Sequence, residues 1–274
     1  KNLLRAKGVP KRVSDSIIER SGGNPFFIEE VVRSFIDLGY LKPTGNGFVA
    51  SGELVEATIP HTVNEVIMAR IDRLDQHLRS LLRVAAVIGR SFFYRILAAV
   101  MDGDEQVEEA LTALKELQII RERVRMAEVE YLFKHALAQE AVYNSILIKE
   151  RKQLHLATAR AIERAFADRL QEFYGVLAMH FMQGEEEEKS ELYLEKAGAA
   201  ALNSAASAEA VTYFQQAVRI YQEKHSAKSS THRLAELERN LAVAYQRKGD
   251  YVPAIEHFDQ ALEHLGRRKA GAAK

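Results

Sequence analysis

Two ten-residue stretches near the end of the chain, EAVTYFQQAV (Glu209–Val218) and PAIEHFDQAL (Pro253–Leu262), superpose at one constant offset. Ala210 aligns with Ala254, Val211 with Ile255, Phe214 with Phe258, Gln216 with Gln260 and Ala217 with Ala261. A chain that repeats itself at fixed spacing builds one supersecondary unit several times and stacks the copies, so this feature constrains the fold more than any other. The spacing of the matches is helical. The alanines let two helices approach closely, and the phenylalanines fill the gap between them. Before the second copy stands LAVAYQRKGDY, which supplies Leu241, Tyr245, Gly249 and Tyr251 for the first helix of the pair and its turn. The first copy keeps Gly198 but has Ala201 where an aromatic is expected, and the hydroxyl-and-charge segment Gln222–Arg233 reads as a linker between copies.

This pattern resembles the tetratricopeptide repeat, a helix pair whose stacked copies form a superhelix. The resemblance implies a scaffold whose concave face takes a protein or peptide partner. Glu236, Arg239, Val243, Gln246 and Arg247 are the first-helix positions expected to line such a groove; the alternative is a spacer that only stacks.

Helices are expected almost throughout, because only five prolines interrupt a sequence rich in Ala, Leu, Glu and Arg. SGGNPFFIEEVVRSF (Ser21–Phe35) reads as a helix start, with Asn24 as N-cap and Pro25 at the first helical position. Phe27, Val31, Phe35 and Leu38 then share a face, Gly39 suits a left-handed stop, and Glu29 and Glu30 fall in the first turns. KPTGNGFVASGE (Lys42–Glu53) is a turn-rich connector with a short extended piece at Phe48 and Val49. Pro60 and Thr62 lead into an apolar stripe that continues from Val63 to Gly89, with Asp75 placed to cap a second helix midway. Phe92–Met101 and Glu105–Leu117 are read as helices, and IIRERVR with EVEYLF as a β-hairpin turning near Met126 and Ala127. Helices followed by a two-stranded ribbon give the outline of a winged helix. The fold class expected is therefore mainly α: a helical lid (1–60), a winged-helix-like domain with a small hairpin (61–150) and repeat helices (151–274).

Much chemistry is excluded by what the sequence lacks. There is no cysteine, so disulfides and thiolate metal sites are out, which fits a reducing, cytoplasmic setting. Nine dispersed histidines form no HExxH grouping, and no serine sits in a Gly-x-Ser-x-Gly elbow. GEEEEKS (Gly184–Ser190) imitates a phosphate-binding loop but lacks the glycine before lysine, and its glutamates would repel a nucleotide; it is read as a solvated loop. No apolar run approaches membrane-spanning length. Thirty-eight basic residues balance thirty-eight acidic ones, so no global field draws the chain to nucleic acid. Between Val66 and Arg95 six arginines face two aspartates, which would suit DNA. The helix before the hairpin, however, carries Asp104, Glu105, Glu108, Glu109 and Glu116 against Lys115 alone, and a groove-reading helix must neutralise phosphate. Arg121, Arg123 and Arg125 are expected to pair with Glu122, Glu128 and Glu130 on a solvated strand face.

The order of segments SGGNPFFIEEVV, IPHTVNEVIMARIDRLDQHLRSLLRVAAVIGRSF, YLFKHALAQEAVYNSI and then repeat helices resembles the signal-transduction ATPases with numerous domains, especially the bacterial branch linked to adenylate/guanylate cyclases or transcription activators. The resemblance implies a segment of a longer chain: it opens at Lys1 without methionine, and the P-loop core would lie elsewhere. Gly23, Asn24 and Pro25 resemble the family's G-x-P motif, whose proline lies against adenine. His135, in FKHAL (Phe133–Leu137), takes the place of a histidine that reaches the β-phosphate of ADP, although its neighbour is Ala136 where relatives carry Asp. The resemblance further implies a non-catalytic regulatory segment with no cofactor of its own, ATP or ADP being held by the intact parent. Its partners would be its own ATPase core, an effector domain, and a protein on the repeats. The alternatives are a winged-helix DNA-binding regulator and a repeat-based peptide adaptor.

Overall fold

The continuous apolar stripe from Val63 to Gly89 is two helices, α3 (Val63–Ile71) and α4 (Gln76–Ile88). Hydrophobic periodicity runs through the break, and the stop is written in the polar residues. Thr62 accepts from the Glu65 N–H (3.2 Å) to start α3, and Asp75 accepts from the Leu78 N–H (2.8 Å) to start α4. The computed structural model describes residues 11–44, 47–50, 62–101, 106–125, 128–224 and 231–267, and divides into two units, Lys1–Leu147 and Ile148–Lys274.

In the first unit, α1 (Lys11–Ser21) and α2 (Pro25–Asp37) precede a short antiparallel pair, β1 (Leu41–Thr44) with β2 (Gly47–Ala50). The helix start at α2 is as the sequence predicts: the Asn24 side chain accepts from the Phe26 N–H (3.0 Å), and Pro25 opens the helix. Val13, Ile17, Phe27, Val31, Phe35 and Val66 form its core. Each such buried side chain contributes about 1.5–3 kcal/mol over an exposed one. Leu38 does not join this face; it follows the last helical turn and is exposed, and Gly39 reverses the chain at φ 75°.

After α4, a three-residue strand β3 (Ser91–Phe93) precedes α5 (Tyr94–Val100) and α6 (Val107–Glu116). The expected helix from Phe92 therefore starts two residues late. Phe92 is drawn into the sheet instead, stacking on Tyr131 (ring centroids 5.8 Å) and meeting Phe133 edge-on (6.2 Å). The hairpin β4 (Ile120–Arg125) and β5 (Glu128–Phe133) pairs Ile120 with Phe133 and Val124 with Val129; its turn lies outside the described residues. Sheet order is β3-β5-β4. Val124 and Val129 form an exposed cross-strand pair near the hairpin tip. Helix α7 (Ala136–Ser145) closes the unit.

The second unit is a run of helices: α8 (Ile148–Ala165), a 3-10 turn (Leu170–Phe173), α9 (Tyr174–Gln183), α10 (Glu187–Asn203), α11 (Ser207–Lys224), α12 (Thr231–Lys248) and α13 (Tyr251–His264). GEEEEKS is not a loop. Gly184 ends α9, Glu185 turns at φ 58°, and Glu187 and Glu188 occupy the first turn of α10, where carboxylates complement the positive helix end. The polar linker also shrinks, since Gln222–Lys224 finish α11 and Thr231–Arg233 begin α12; residues 225–230 lie outside the described set.

Repeat packing depends on small residues. A Cβ placed on Gly198 would come within 2.7 Å of the Phe214 ring, so glycine is what lets α11 seat its aromatic on α10. The turns of the two copies correspond as well: Gly249 sits at φ 94°, and its counterpart Ala205 at φ 60°, a conformation costly for a residue with a Cβ. Between α8 and α9 two buried histidines meet, His155 Nδ1 and His180 Nδ1 lying 2.8 Å apart. Such a bond needs one ring to donate and the other to accept, so the two carry opposite tautomers.

Candidate functional site

In the first unit the loop Gly22–Pro25 is exposed, and both glycines hold positive φ (52° and 86°). Ser21 shapes the loop: its hydroxyl accepts from the Gly23 N–H (3.2 Å) and its carbonyl from the Asn24 N–H (2.8 Å). Across from the loop stands His135, the residue that enters α7. Its ring lies 4.0 Å from that of Phe26, the residue after Pro25, so elements more than 100 positions apart share one small site. His135 forms no side-chain cap for α7, and its Nε2 is buried without a hydrogen-bond partner, 3.9 Å from Glu30 Oε1. Burial holds its pKa below the ordinary histidine value, against the pull of Glu30 and Glu29.

Around this contact runs an ionic framework that local sequence patterns do not reveal. Arg70 of α3 is buried and binds Glu30 (Nη1–Oε2 2.5 Å), Asp37 (Nε–Oδ2 2.9 Å) and the Leu117 carbonyl (Nη2–O 3.1 Å). Lys134 reaches Glu29 (2.8 Å), which also pairs with Arg33 (2.9 Å); the Lys134 hydrogen bond keeps the Glu29 carboxyl below its ordinary range. Glu29 and Glu30 thus sit past the first turn of α2, and each is balanced by a cation rather than by the helix end. The space among Glu30, Arg70, Gln118 and His135 has a volume of about 20 Å³. That is room for one water, so these residues frame a contact point and not a nucleotide-sized cavity.

The hairpin arginines are largely committed. Arg123 and Arg125 both bind Glu130 (2.5 and 3.3 Å), whose carboxyl is buried. Burial works to raise its pKa, but hydrogen bonds from Arg123 and Ser91 hold it lowered. Lys115 binds Glu122 (2.7 Å), and Glu108 accepts from the Tyr94 hydroxyl (3.1 Å). Asp104 and Glu105 lie outside the described residues.

In the second unit the suggested groove residues separate into two groups. Glu236 and Arg239 of α12 line a cleft of about 490 Å³ with Ala235, with Phe258 and Leu262 of α13, and with Leu265 just past its end. Val243 is half-buried and Gln246 exposed further along α12, and Arg247 donates to the Leu202 carbonyl (3.1 Å); none of the three lines that cleft. Among the described residues no group of three or more His, Asp or Glu could hold a metal ion, and no helix is long and apolar enough to cross a membrane.

With this geometry in place, comparison with known proteins is informative mainly for the second unit. Residues 190–267 match the tetratricopeptide repeat family model. The C-terminal helices are tetratricopeptide-like repeats. Residues 1–38 match a model described as a domain of unknown function. A curated relative, an uncharacterized protein of Rhizobium meliloti (strain 1021), is 30% identical over 150 residues, which is 53% of this chain and 14% of that protein. The chain thus spans about a seventh of the relative it matches. Two solved structures align over most of the chain. One is a signal transduction ATPase with numerous domains carrying a tetratricopeptide repeat sensor, PH0952 from Pyrococcus horikoshii (12% identity, 95% of this chain, 40% of that one, TM-score 0.39). The other is BtubC (BKLC) from P. vanneervenii (14% identity, 96% of this chain, 95% of that one, TM-score 0.33). Neither TM-score is high enough to establish a shared fold.

Proposed function

We propose that this chain is the regulatory and interaction segment of a signal-transduction ATPase with numerous domains, non-catalytic by itself, passing nucleotide state to a protein partner or effector. The observation that carries the reading is the Phe26–His135 contact, which joins the Gly23–Pro25 loop to the one histidine expected to sense nucleotide. The buried Nε2 of His135 has no hydrogen-bond partner here and would reach a phosphate oxygen only in a more open arrangement, while the exposed Pro25 ring fits the flat face of a base. Bound ADP or ATP would supply the charge difference that drives the switch. The chain's own part is to hold the Pro25 ring and the His135 imidazole at a fixed separation, through Phe26 and the Arg70 framework. A nucleotide can shift such a switch only if it binds its two arrangements with different affinity.

The α4–β3–α5–α6–β4–β5 order, with β3 added to β5, supports reading this part as a winged helix that serves as a lever rather than a reader of DNA. Glu108, Glu109 and Glu116 on α6, and the commitment of Arg123 and Arg125 to Glu130, support that choice. The purified chain is expected to release no phosphate from Mg-ATP above a buffer blank; measurable turnover overturns the reading. Duplex binding that is tight and steeply salt-dependent would instead establish the DNA-binding alternative.

A further inference from the structure

The two helix pairs of the repeat region carry the same pattern but differ in what lies over it. On α11, Val211, Phe214, Val218 and Tyr221 are all buried, Val211 to 6% and Tyr221 to 5% exposure. Their counterparts are Ile255 of α13 at 61% and Leu265, just past its end, at 46%, with Phe258 and Leu262 only half-buried. The cover over the first pair is α12. It seats Leu237 and Leu241 fully, hydrogen-bonds Gln215 of α11 through the Tyr245 hydroxyl (2.6 Å), and sends Arg233 to Glu191 (2.9 Å) and Glu195 (2.7 Å) on α10. The same seat on the second pair is the open 490 Å³ cleft.

We propose that the cleft between α12 and α13 docks an amphipathic helix of a partner protein, one bearing Asp or Glu where α12 bears Arg233. The shape of the occupant follows from the repeat, because the first pair shows what covers this face: a helix laid along both members, apolar side down. Its charge follows from a swap within the repeat. Glu191 and Glu195, which grip Arg233, correspond to Ala235 and Arg239, and Glu188 corresponds to His232. The acidic clamp is replaced by Ala235 and Arg239 at the rim of an apolar floor, so a cation at that place loses its partners and a carboxylate gains the exposed Arg239 guanidinium. Glu236, on the same rim, is already engaged by Arg233 (3.4 Å) and His232 (3.6 Å) and leaves the preference for an acid intact. This rests on reading the repeats as an interaction module, and does not rest on the ATPase reading.

The test uses the full chain and two labelled synthetic peptides of the α12 sequence, Thr231–Lys248, one native and one carrying Arg233→Glu, followed by fluorescence anisotropy. The Arg233→Glu peptide is expected to bind about tenfold more tightly than the native one, the effect of one charge-assisted pair. An Arg239→Glu chain is expected to reverse that order. A Leu262→Glu chain, checked for native helicity by circular dichroism, is expected to lose both peptides. Equal binding of the acidic peptide by wild-type and Arg239→Glu chains overturns the proposal while leaving the repeats as an interaction module. No binding of either peptide overturns the proposed partner helix, and a concentration-dependent dimer that Leu265→Glu dissolves would then show a second copy of the chain as the occupant. Phosphate release from Mg-ATP, measured separately, reports on the ATPase reading alone.

Discussion

The two units solve the problem of joining helices by different means. In the first, partners far apart in sequence are tied by buried charge, Arg70 holding Glu30, Asp37 and the end of α6 at once. In the second, each helix packs on its neighbour through small residues and aromatics, as Gly198 does with Phe214. Buried ions specify one arrangement and penalise any loss of a partner, whereas repeat packing spreads stability along the stack. The first unit is therefore vulnerable at a point, and the second at many places, each to a smaller degree.

That contrast breaks or holds first at Arg70. Arg70→Met leaves Glu30 buried without its cation and is expected to cost about 3–5 kcal/mol, read as lost hydrogen-exchange protection in α2 and α3. Adding Glu30→Gln should recover most of the loss; additive damage would mean that Arg70 matters as a packing element. Next comes pH, which should act on the second unit. Burial lowers the pKa of His155 to about 4 and of His180 to about 3. Both groups bind protons more readily when unfolded, so stability is full above the ordinary histidine pKa and falls as pH drops below it. At pH 5 the expected loss is about 2 kcal/mol for each ring, visible as weakened protection of α8 and α9. A stability curve flat between pH 7 and 5 would refute the buried neutral pair.

A third variant, Gly198→Ala, drives a methyl into the Phe214 ring and should cost about 1–3 kcal/mol by thermal melting; a second change, Phe214→Leu, should return part of it. The smallest effect is at the turns. Ala205→Gly relieves a left-handed alanine and should stabilise by about 0.5 kcal/mol, while Gly249→Ala should destabilise by about 1 kcal/mol. Equal effects at both turns would show that the repeats are less alike than their helices suggest.

Legibility in the sequence divides along the same line. Local physics was readable: Asn24, Thr62 and Asp75 cap the helices they precede, and the repeat predicts the α10–α13 pairs. Long-range pairing was not. Arg70 stands within an apolar stripe and its partners lie tens of residues away, so nothing nearby marks it as buried; an arginine inside such a stripe is the signal that was available. Strand β3 was hidden for a related reason, because three residues carry no period and Phe92 becomes a strand residue only once Tyr131 and Phe133 lie beside it. For the site, the glycine-proline loop and His135 were legible from resemblance, but their meeting through Phe26 required the fold. The sequence marks Glu236 and Arg239 for a groove, and both line a cleft together with Phe258 and Leu262 of α13, which the first-helix pattern alone does not reveal.

The meeting of His155 with His180 also makes an internal clock. The single hydrogen held between their Nδ1 atoms is sealed from solvent, and moving it across would require both rings to change tautomer together. In heavy water that one nucleus should be replaced only on occasions when α8 and α9 separate, so its disappearance from a proton spectrum would time the parting of this helix pair directly.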